Sequence, residues 1–75
     1  METPMQPTLR INGTEKQFPQ DRLPKTLAEL LTELKIDQAT VVAEIDGRIV
    51  ERKNFATAAL QPGQSIELVR FVGGG

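Results

Sequence analysis

The feature that most constrains the fold is a single leucine-rich segment between Thr26 and Lys35. Its leucines recur at the i, i+3, i+4 and i+7 spacing of one helix face; they are Leu27, Leu30, Leu31 and Leu34. Thr26 can cap the helix, and Glu29 three residues later completes a capping box. The spacing therefore predicts a helix over residues 27–35. Because the chain has 75 residues and no cysteine for a disulfide, this helix face must be half of the only core.

Short segments on both sides of this helix alternate apolar and polar residues, as half-buried strands do. Asn12-Gly13 and Asp46-Gly47 are typical of tight type I′ turns, so each is expected to close a hairpin, and no further role is expected of Asn12. Residues 53–60, anchored by Phe55 and Leu60, are expected to form a helical turn or an irregular crossing. The predicted strands are 9–11, 14–18, 41–45, 49–50 and 65 to about 71.

One amphipathic helix can cover one face of a four- or five-stranded sheet, which predicts an α+β fold with two layers. We divide the chain into a flexible N-terminal arm (1–7), one domain (8–72) and a flexible glycine tail (73–75). Met5 could equally be the natural start. The inner face of the sheet is expected to hold Leu9, Ile11, Val41, Ala43, Ile45, Ile66 and Leu68.

The composition argues against several classes of function. Histidine and cysteine are absent, so the commonest general base, a thiolate nucleophile and the commonest metal ligands are missing. A net charge of −1 and the absence of Trp and Tyr argue against a nucleic-acid binder. No apolar run reaches the roughly 20 residues that span a membrane, and no secretory signal is visible. We expect a cytoplasmic protein with no metal site; the carboxylates of Asp37, Glu44 and Asp46 are interpreted as solvated surface.

The chain ends in three glycines, Gly73, Gly74 and Gly75. Glycine loses more conformational entropy on ordering than any other residue, so this end is not expected to pack. One interpretation is a frayed or artificial end. The other is a flexible arm that carries the α-carboxylate of Gly75 into the active site of another protein, since a chain without Cβ atoms can enter a narrow channel. The residues alone leave both open.

Several segments, each weak alone, occur in an order that is fairly specific. They are 10–13 (RING), 26–31 (TLAELL), 42–50 (VAEIDGRIV), Arg52, 56–60 (ATAAL), Gly63, 66–69 (IELV) and 71–75 (FVGGG). Together they resemble the bacterial sulfur carrier proteins of thiamine biosynthesis, the ThiS family of ubiquitin-like sulfur carriers. The resemblance implies a ubiquitin-like β-grasp fold, in which the first and last strands lie parallel at the centre of the sheet.

The resemblance also implies a chemistry for the tail. The carboxylate of Gly75 would be adenylated with ATP by a ThiF-type adenylyltransferase, an enzyme similar to those that activate ubiquitin. A sulfur donor such as a cysteine desulfurase would convert it to a thiocarboxylate, and the sulfur would pass to a thiazole synthase of ThiG type. On this hypothesis the chain is a protein co-substrate and not an enzyme, binds no cofactor itself, and is monomeric when free.

The resemblance further implies that partners bind the sheet face away from the helix, together with the tail. The matching outward residues are Val69 and Phe71, with Val42 beside them, and we expect a docking patch there. The alternative is that Phe71 folds over the sheet edge or caps the core. Arg10 and Arg70 are expected to flank the patch and pair with an acidic partner, unless they are ordinary solvated charges.

Two loops differ from the family pattern, and the tail chemistry of the family also occurs in other pathways. The connection over residues 19–26 is longer than the family's, and Lys35 stands where the helix often ends on glycine. The same tail chemistry would serve the small subunit of molybdopterin synthase, or a carrier for tRNA thiolation or cysteine synthesis; the short length and motif spacing favour the thiamine carrier. A β-grasp binding module with incidental glycines is the alternative from a different class.

Overall fold

A mixed five-stranded sheet carries one helix on one face in the computed structural model, which describes residues 6–70. The elements are β1 (Thr8–Ile11), β2 (Thr14–Gln17), α1 (Leu27–Glu33), β3 (Val41–Ile45), β4 (Arg48–Val50) and β5 (Ser65–Arg70). The strand order is β2-β1-β5-β3-β4. β1 and β5 are parallel, and the other neighbouring strands are antiparallel. The predicted two-layer α+β fold and the parallel pairing of the first and last strands are confirmed.

The helix begins at the predicted cap. Thr26 has extended backbone angles, and its Oγ1 accepts a hydrogen bond from the backbone N–H of Glu29 at 3.2 Å. The Glu29 carboxylate reaches back to the N–H of Lys25, one residue before the cap, at 3.4 Å. The predicted capping box therefore forms with its return bond shifted by one residue, and two backbone donors are still satisfied.

The helix ends earlier than predicted, at Glu33, and Lys35 terminates it. Lys35 has a positive φ of 59°. Its N–H donates to the carbonyl of Thr32 at 3.1 Å, and the N–H of Ile36 donates to Leu31 at 2.9 Å. These two bonds form a Schellman motif, in which the residue at this position is usually glycine because only glycine takes a left-handed conformation without cost.

The core lies between α1 and the inner face of the sheet. Phe55 and Leu60 are buried as predicted, after a 3₁₀ turn at Arg52–Asn54. Of the predicted inner-face residues, Ile11 and Ile45 are only partly buried. Phe18, which was not among the predicted inner-face residues, is 4% exposed. The other buried apolar side chains are Leu9, Leu27, Leu30, Leu31, Val41, Ala43, Ile66 and Leu68.

Both hairpins close with the predicted tight turns. Asn12 and Gly13 have φ values of 51° and 82°, and Asp46 and Gly47 have 51° and 84°. Positive φ at both central positions defines the type I′ turn, whose twist matches that of the flanking strands. The Asn-Gly and Asp-Gly dipeptides therefore set the register of β1 with β2 and of β3 with β4.

The two predicted flexible ends fall largely outside residues 6–70. The tail 73–75 lies wholly beyond them, and of the arm 1–7 only Gln6 and Pro7 are described. The carbonyl of Pro7 accepts a hydrogen bond from the N–H of Phe18 at 2.9 Å, so strand-like bonding begins one residue before β1. None of the helical segments described is both long and apolar enough to cross a membrane.

Candidate functional site

Strand β5 is the element that leads into the predicted reactive tail. It lies between β1 and β3 and ends at Arg70, the last residue that the structure describes. Gly73, Gly74 and Gly75, and the predicted docking residue Phe71, lie outside the described residues. The described part of the site consists of the contacts that hold β5 and the residues that lie beside its end.

Both hairpin turns hold β5 through side-chain oxygens. Oδ1 of Asn12 accepts from the N–H of Leu68 at 2.7 Å, and Oδ1 of Asp46 accepts from the N–H of Ser65 at 2.9 Å. The backbone N–H groups of these turn residues donate to the β5 carbonyls of Ile66 at 2.8 Å and Ser65 at 2.7 Å. The expectation that Asn12 serves the turn alone is wrong, because its amide also continues the hydrogen bonding of β1 along β5. These bonds anchor the strand that leads to the tail.

The predicted docking residues Val42 and Val69 are neighbours on the sheet face away from α1. They are paired directly across β3 and β5, and cross-strand partners point to the same face. Val69 is 59% exposed, which is unusual among the large apolar side chains of residues 6–70, and Val42 is half-buried. The pair presents apolar surface beside the end of β5.

The two arginines predicted to flank this pair lie elsewhere. Arg10 is paired with Ser65, four residues before Val69 along β5 and about 13 Å away at the rise of a strand. Arg70 is paired with Val41, a buried inner-face residue, so its side chain leaves the strand towards the helix side. The structure brings Val42 and Val69 together and leaves both arginines apart from them.

One exposed apolar residue of this face was missed by the sequence analysis. Ile49 is 70% exposed on β4 and is paired with Glu44, which is paired in turn with Glu67. Ile49 therefore shares a face with Val42 and Val69. The Asp46-Gly47 turn already fixed the pairing of Ile49 with Glu44, so the register of this hairpin was the signal that could have revealed it.

Two of the three carboxylates interpreted above as solvated surface, Asp37 and Asp46, have local structural roles. Oδ1 of Asp37 accepts from the N–H of Ala39 at 2.9 Å and caps a 3₁₀ turn, while Asp46 holds β5 as described above. Within the part of the chain described, no group of three or more potential ligands lies close enough together to hold a metal ion. The geometry of these residues is that of a protein that presents strand β5 and the sheet surface beside it.

One helix packed on a mixed sheet whose first and last strands run parallel at the centre defines a ubiquitin-like β-grasp protein. Comparison with known proteins narrows this class. The model of the ThiS family matches residues 9–75, and the chain belongs to this family. The resemblance inferred from the segments above is thereby confirmed.

Solved structures agree in both fold and sequence. A crystal structure of the thiamine biosynthesis protein (ThiS) from Geobacter metallireducens superposes with a TM-score of 0.74 at 33% identity, covering 91% of this chain and 99% of that one. A solution structure of a thiamine biosynthesis protein from the same organism gives a TM-score of 0.73 at 32% identity, with 91% and 87% covered. Family membership and these structures support a sulfur carrier role in thiamine biosynthesis.

A curated relative adds a second kind of similarity. The chain is 37% identical over 67 residues to a thiazole synthase from Paramagnetospirillum magneticum, covering 89% of this chain. It spans only 20% of the length of that relative. A segment similar to this chain is therefore part of a much longer polypeptide named as a thiazole synthase.

Proposed function

We propose that the chain is a sulfur carrier whose Gly75 carboxylate is adenylated, converted to a thiocarboxylate and used as the sulfur source for thiazole formation in thiamine biosynthesis. The observation that carries the proposal is that the family match runs through residue 75, so it includes the glycine tail as well as the fold. Gly73 and Gly74 form the stalk of this tail. The chain is a co-substrate on which other proteins act.

The carboxylate of Gly75 is unreactive until one of its oxygens becomes part of a good leaving group. A carboxylate oxygen of Gly75 attacks the α-phosphorus of ATP, and pyrophosphate leaves with its electron pair. The acyl-adenylate that forms has a good leaving group, so a hydrosulfide attacks the carbonyl carbon, loses its proton, and AMP leaves. Where the donor is a protein persulfide, the same attack gives an acyl disulfide, and a thiol reductant then releases the thiocarboxylate. The sum replaces one carboxylate oxygen with sulfur. Glycine suits this position because no Cβ hinders the approach of the nucleophile.

Three partners follow from this sequence of steps. A ThiF-type adenylyltransferase supplies the ATP chemistry, a donor such as a cysteine desulfurase supplies the sulfur, and a thiazole synthase of ThiG type consumes it. The last assignment is supported by the relative in which a segment like this chain is part of a thiazole synthase. We place these steps in the cytoplasm.

The folded domain provides the surface by which partners bind the protein and receive this tail. We propose that partners contact Val42 and Val69, with Phe71 continuing the patch beyond the described residues. Support comes from the exposure of Val69 and from its place at the end of the anchored strand β5. The thiamine pathway is preferred over molybdopterin, tRNA thiolation and cysteine synthesis because the similar solved structures are thiamine biosynthesis proteins.

The test is a reconstitution with the activating enzyme of the same organism, ATP, magnesium and a sulfide source, followed by intact-mass spectrometry. The wild-type chain is expected to gain the mass difference between sulfur and oxygen. A chain without Gly75 keeps the whole described domain and is expected to stay unmodified. An unmodified wild-type chain, or equal modification of both chains, would overturn the proposal.

A further inference from the structure

Two glutamates are neighbours on the outer side of the sheet. Glu44 on β3 and Glu67 on β5 are direct cross-strand partners. Glu67 is exposed, and Glu44 is half-buried. Like charges in this arrangement destabilise a sheet. The ion pair found within residues 6–70 joins Lys53 to Glu51 at 3.4 Å, so no described side chain pairs with either carboxylate.

Three apolar residues lie beside this glutamate pair on the same face. Ile49, directly across from Glu44, is 70% exposed. Val42 and Val69 form the next pair on the same face, two residues and about 7 Å along the strands. We name this surface the acid–apolar face; it consists of Val42, Glu44, Ile49, Glu67 and Val69.

The remaining charges of the sheet do not cancel this negative centre. Arg10 is the only basic residue that the strands of residues 6–70 direct outward, and it is paired with Glu15 across β1 and β2. Arg48 and Arg70 are paired with the inner-face residues Ile45 and Val41 and so point to the other side. The acid–apolar face therefore has two negative charges, with no basic strand residue between them, beside its three apolar side chains.

We propose that the acid–apolar face binds a protein surface whose apolar centre is bordered by lysine or arginine side chains, and that this surface belongs to a thiazole synthase. The inference rests on the proposed function for the choice of partner. A cation placed against Glu44 and Glu67 would be attracted by both carboxylates, while Ile49 and Val69 lose their contact with water. The sign is opposite to the acidic partner that Arg10 and Arg70 suggested in the sequence.

A second copy of the chain fits this face poorly. A two-fold contact through the same patch would bring two carboxylates from each copy together with no cation between them. A thiazole synthase is favoured because a segment like this chain is part of one such polypeptide, which keeps the two surfaces within reach of each other.

The test measures the dissociation constant between the full chain and the thiazole synthase of the same organism, at low and at moderate salt. Glu44→Gln and Glu67→Gln are each expected to weaken binding about fivefold and to reduce its salt dependence. Ile49→Thr, which keeps the β-branch, is expected to weaken it about tenfold. Glu33→Gln makes the same charge change on the exposed side of α1 and is expected to leave affinity unchanged.

Loss of binding can be separated from loss of folding by urea denaturation. Each glutamine variant removes one of two neighbouring like charges, so its urea midpoint is expected to stay equal or rise. Unchanged affinity in the double variant E44Q/E67Q, an equal loss in Glu33→Gln, or a wild-type chain that gains sulfur but does not bind the synthase would overturn the inference. The last of these would leave the activation of Gly75 intact. A chain that gains no sulfur but binds the synthase through this face would instead refute the proposed function.

Discussion

Oδ1 of Asn12 accepts a hydrogen bond from the backbone N–H of Leu68 at 2.7 Å, across 56 positions of sequence. β1 ends at Ile11, and the Asn12 side chain supplies the acceptor that a further strand residue would have offered. β5 is therefore hydrogen-bonded on its β1 side as far as Leu68, two residues before the described chain ends. The turn that closes the first hairpin also holds the strand that leads to the tail proposed to be reactive.

Replacing Asn12 with glycine should destabilise the domain without breaking the turn. Glycine accepts the φ of 51° found there, but the partly buried N–H of Leu68 loses its acceptor. We expect the free energy of unfolding to fall by about 1–2 kcal/mol in urea denaturation. Asn12→Asp keeps an oxygen in place and should stay within about 0.5 kcal/mol of wild type. Equal stabilities for Asn12→Gly and wild type would show that this bond contributes nothing.

Replacing Lys35 with glycine should stabilise the domain. Lys35 is held at a φ of 59°, where a side chain costs energy and glycine does not. The gain is expected to be about 0.5–1 kcal/mol, reduced by the greater freedom of glycine in the unfolded chain. Lys53→Gly, at a position without positive φ, is the matched control and should lower stability. A loss for Lys35→Gly in thermal denaturation would contradict the Schellman assignment.

Removing the helix cap should cost about 1 kcal/mol. Thr26→Ala deletes the Oγ1 that accepts from the N–H of Glu29, and this donor then has no partner within the helix. Thr26→Ser keeps the oxygen and should retain most of the stability. The comparison is made by chemical denaturation followed by circular dichroism. Equal losses for alanine and serine would assign the effect to the methyl group and not to the cap.

Much of the fold was predictable because it is set by local patterns. The leucine spacing predicted α1, and the Asn-Gly and Asp-Gly dipeptides predicted both hairpins and the faces of their strands. The end of the helix was predicted too late, since Lys35 ends it by taking the conformation of a glycine. The long-range bond from Asn12 could not be predicted, because it depends on how far β5 extends beyond β1.

The candidate site was predicted less completely. Val42 and Val69 were placed together correctly, because alternation along β3 and β5 and the family resemblance agree on their face. The same alternation already puts Arg70 on the side opposite Val69. The expectation that Arg70 flanks the patch was therefore inconsistent with the strand pattern. The register of the Asp46-Gly47 hairpin already implied the position of Ile49. The Glu44–Glu67 pair emerges only when β3 and β5 are set in register, which requires the tertiary structure.

The same valine-to-threonine change should affect binding at the exposed Val69 and stability at the buried Val41. Val69→Thr adds a hydroxyl to a side chain that is already 59% exposed, so stability should change by less than about 0.5 kcal/mol. Binding to the activating enzyme should weaken, because apolar contact area is lost. Val41→Thr places the same hydroxyl in the core and should cost about 1–3 kcal/mol. Full binding by a folded Val69→Thr chain would remove Val69 from the docking surface.

The most direct test of the account is to block the terminal carboxyl alone. A chain whose Gly75 ends in a carboxamide has the same side chains and the same domain, yet offers no carboxylate to ATP. In a reconstituted reaction with the activating enzyme, a sulfur donor and thiazole synthase, the natural chain should support thiazole formation and the amidated chain should support none. Equal thiazole formation with both chains would contradict the claim that the main-chain carboxylate of Gly75 carries the sulfur.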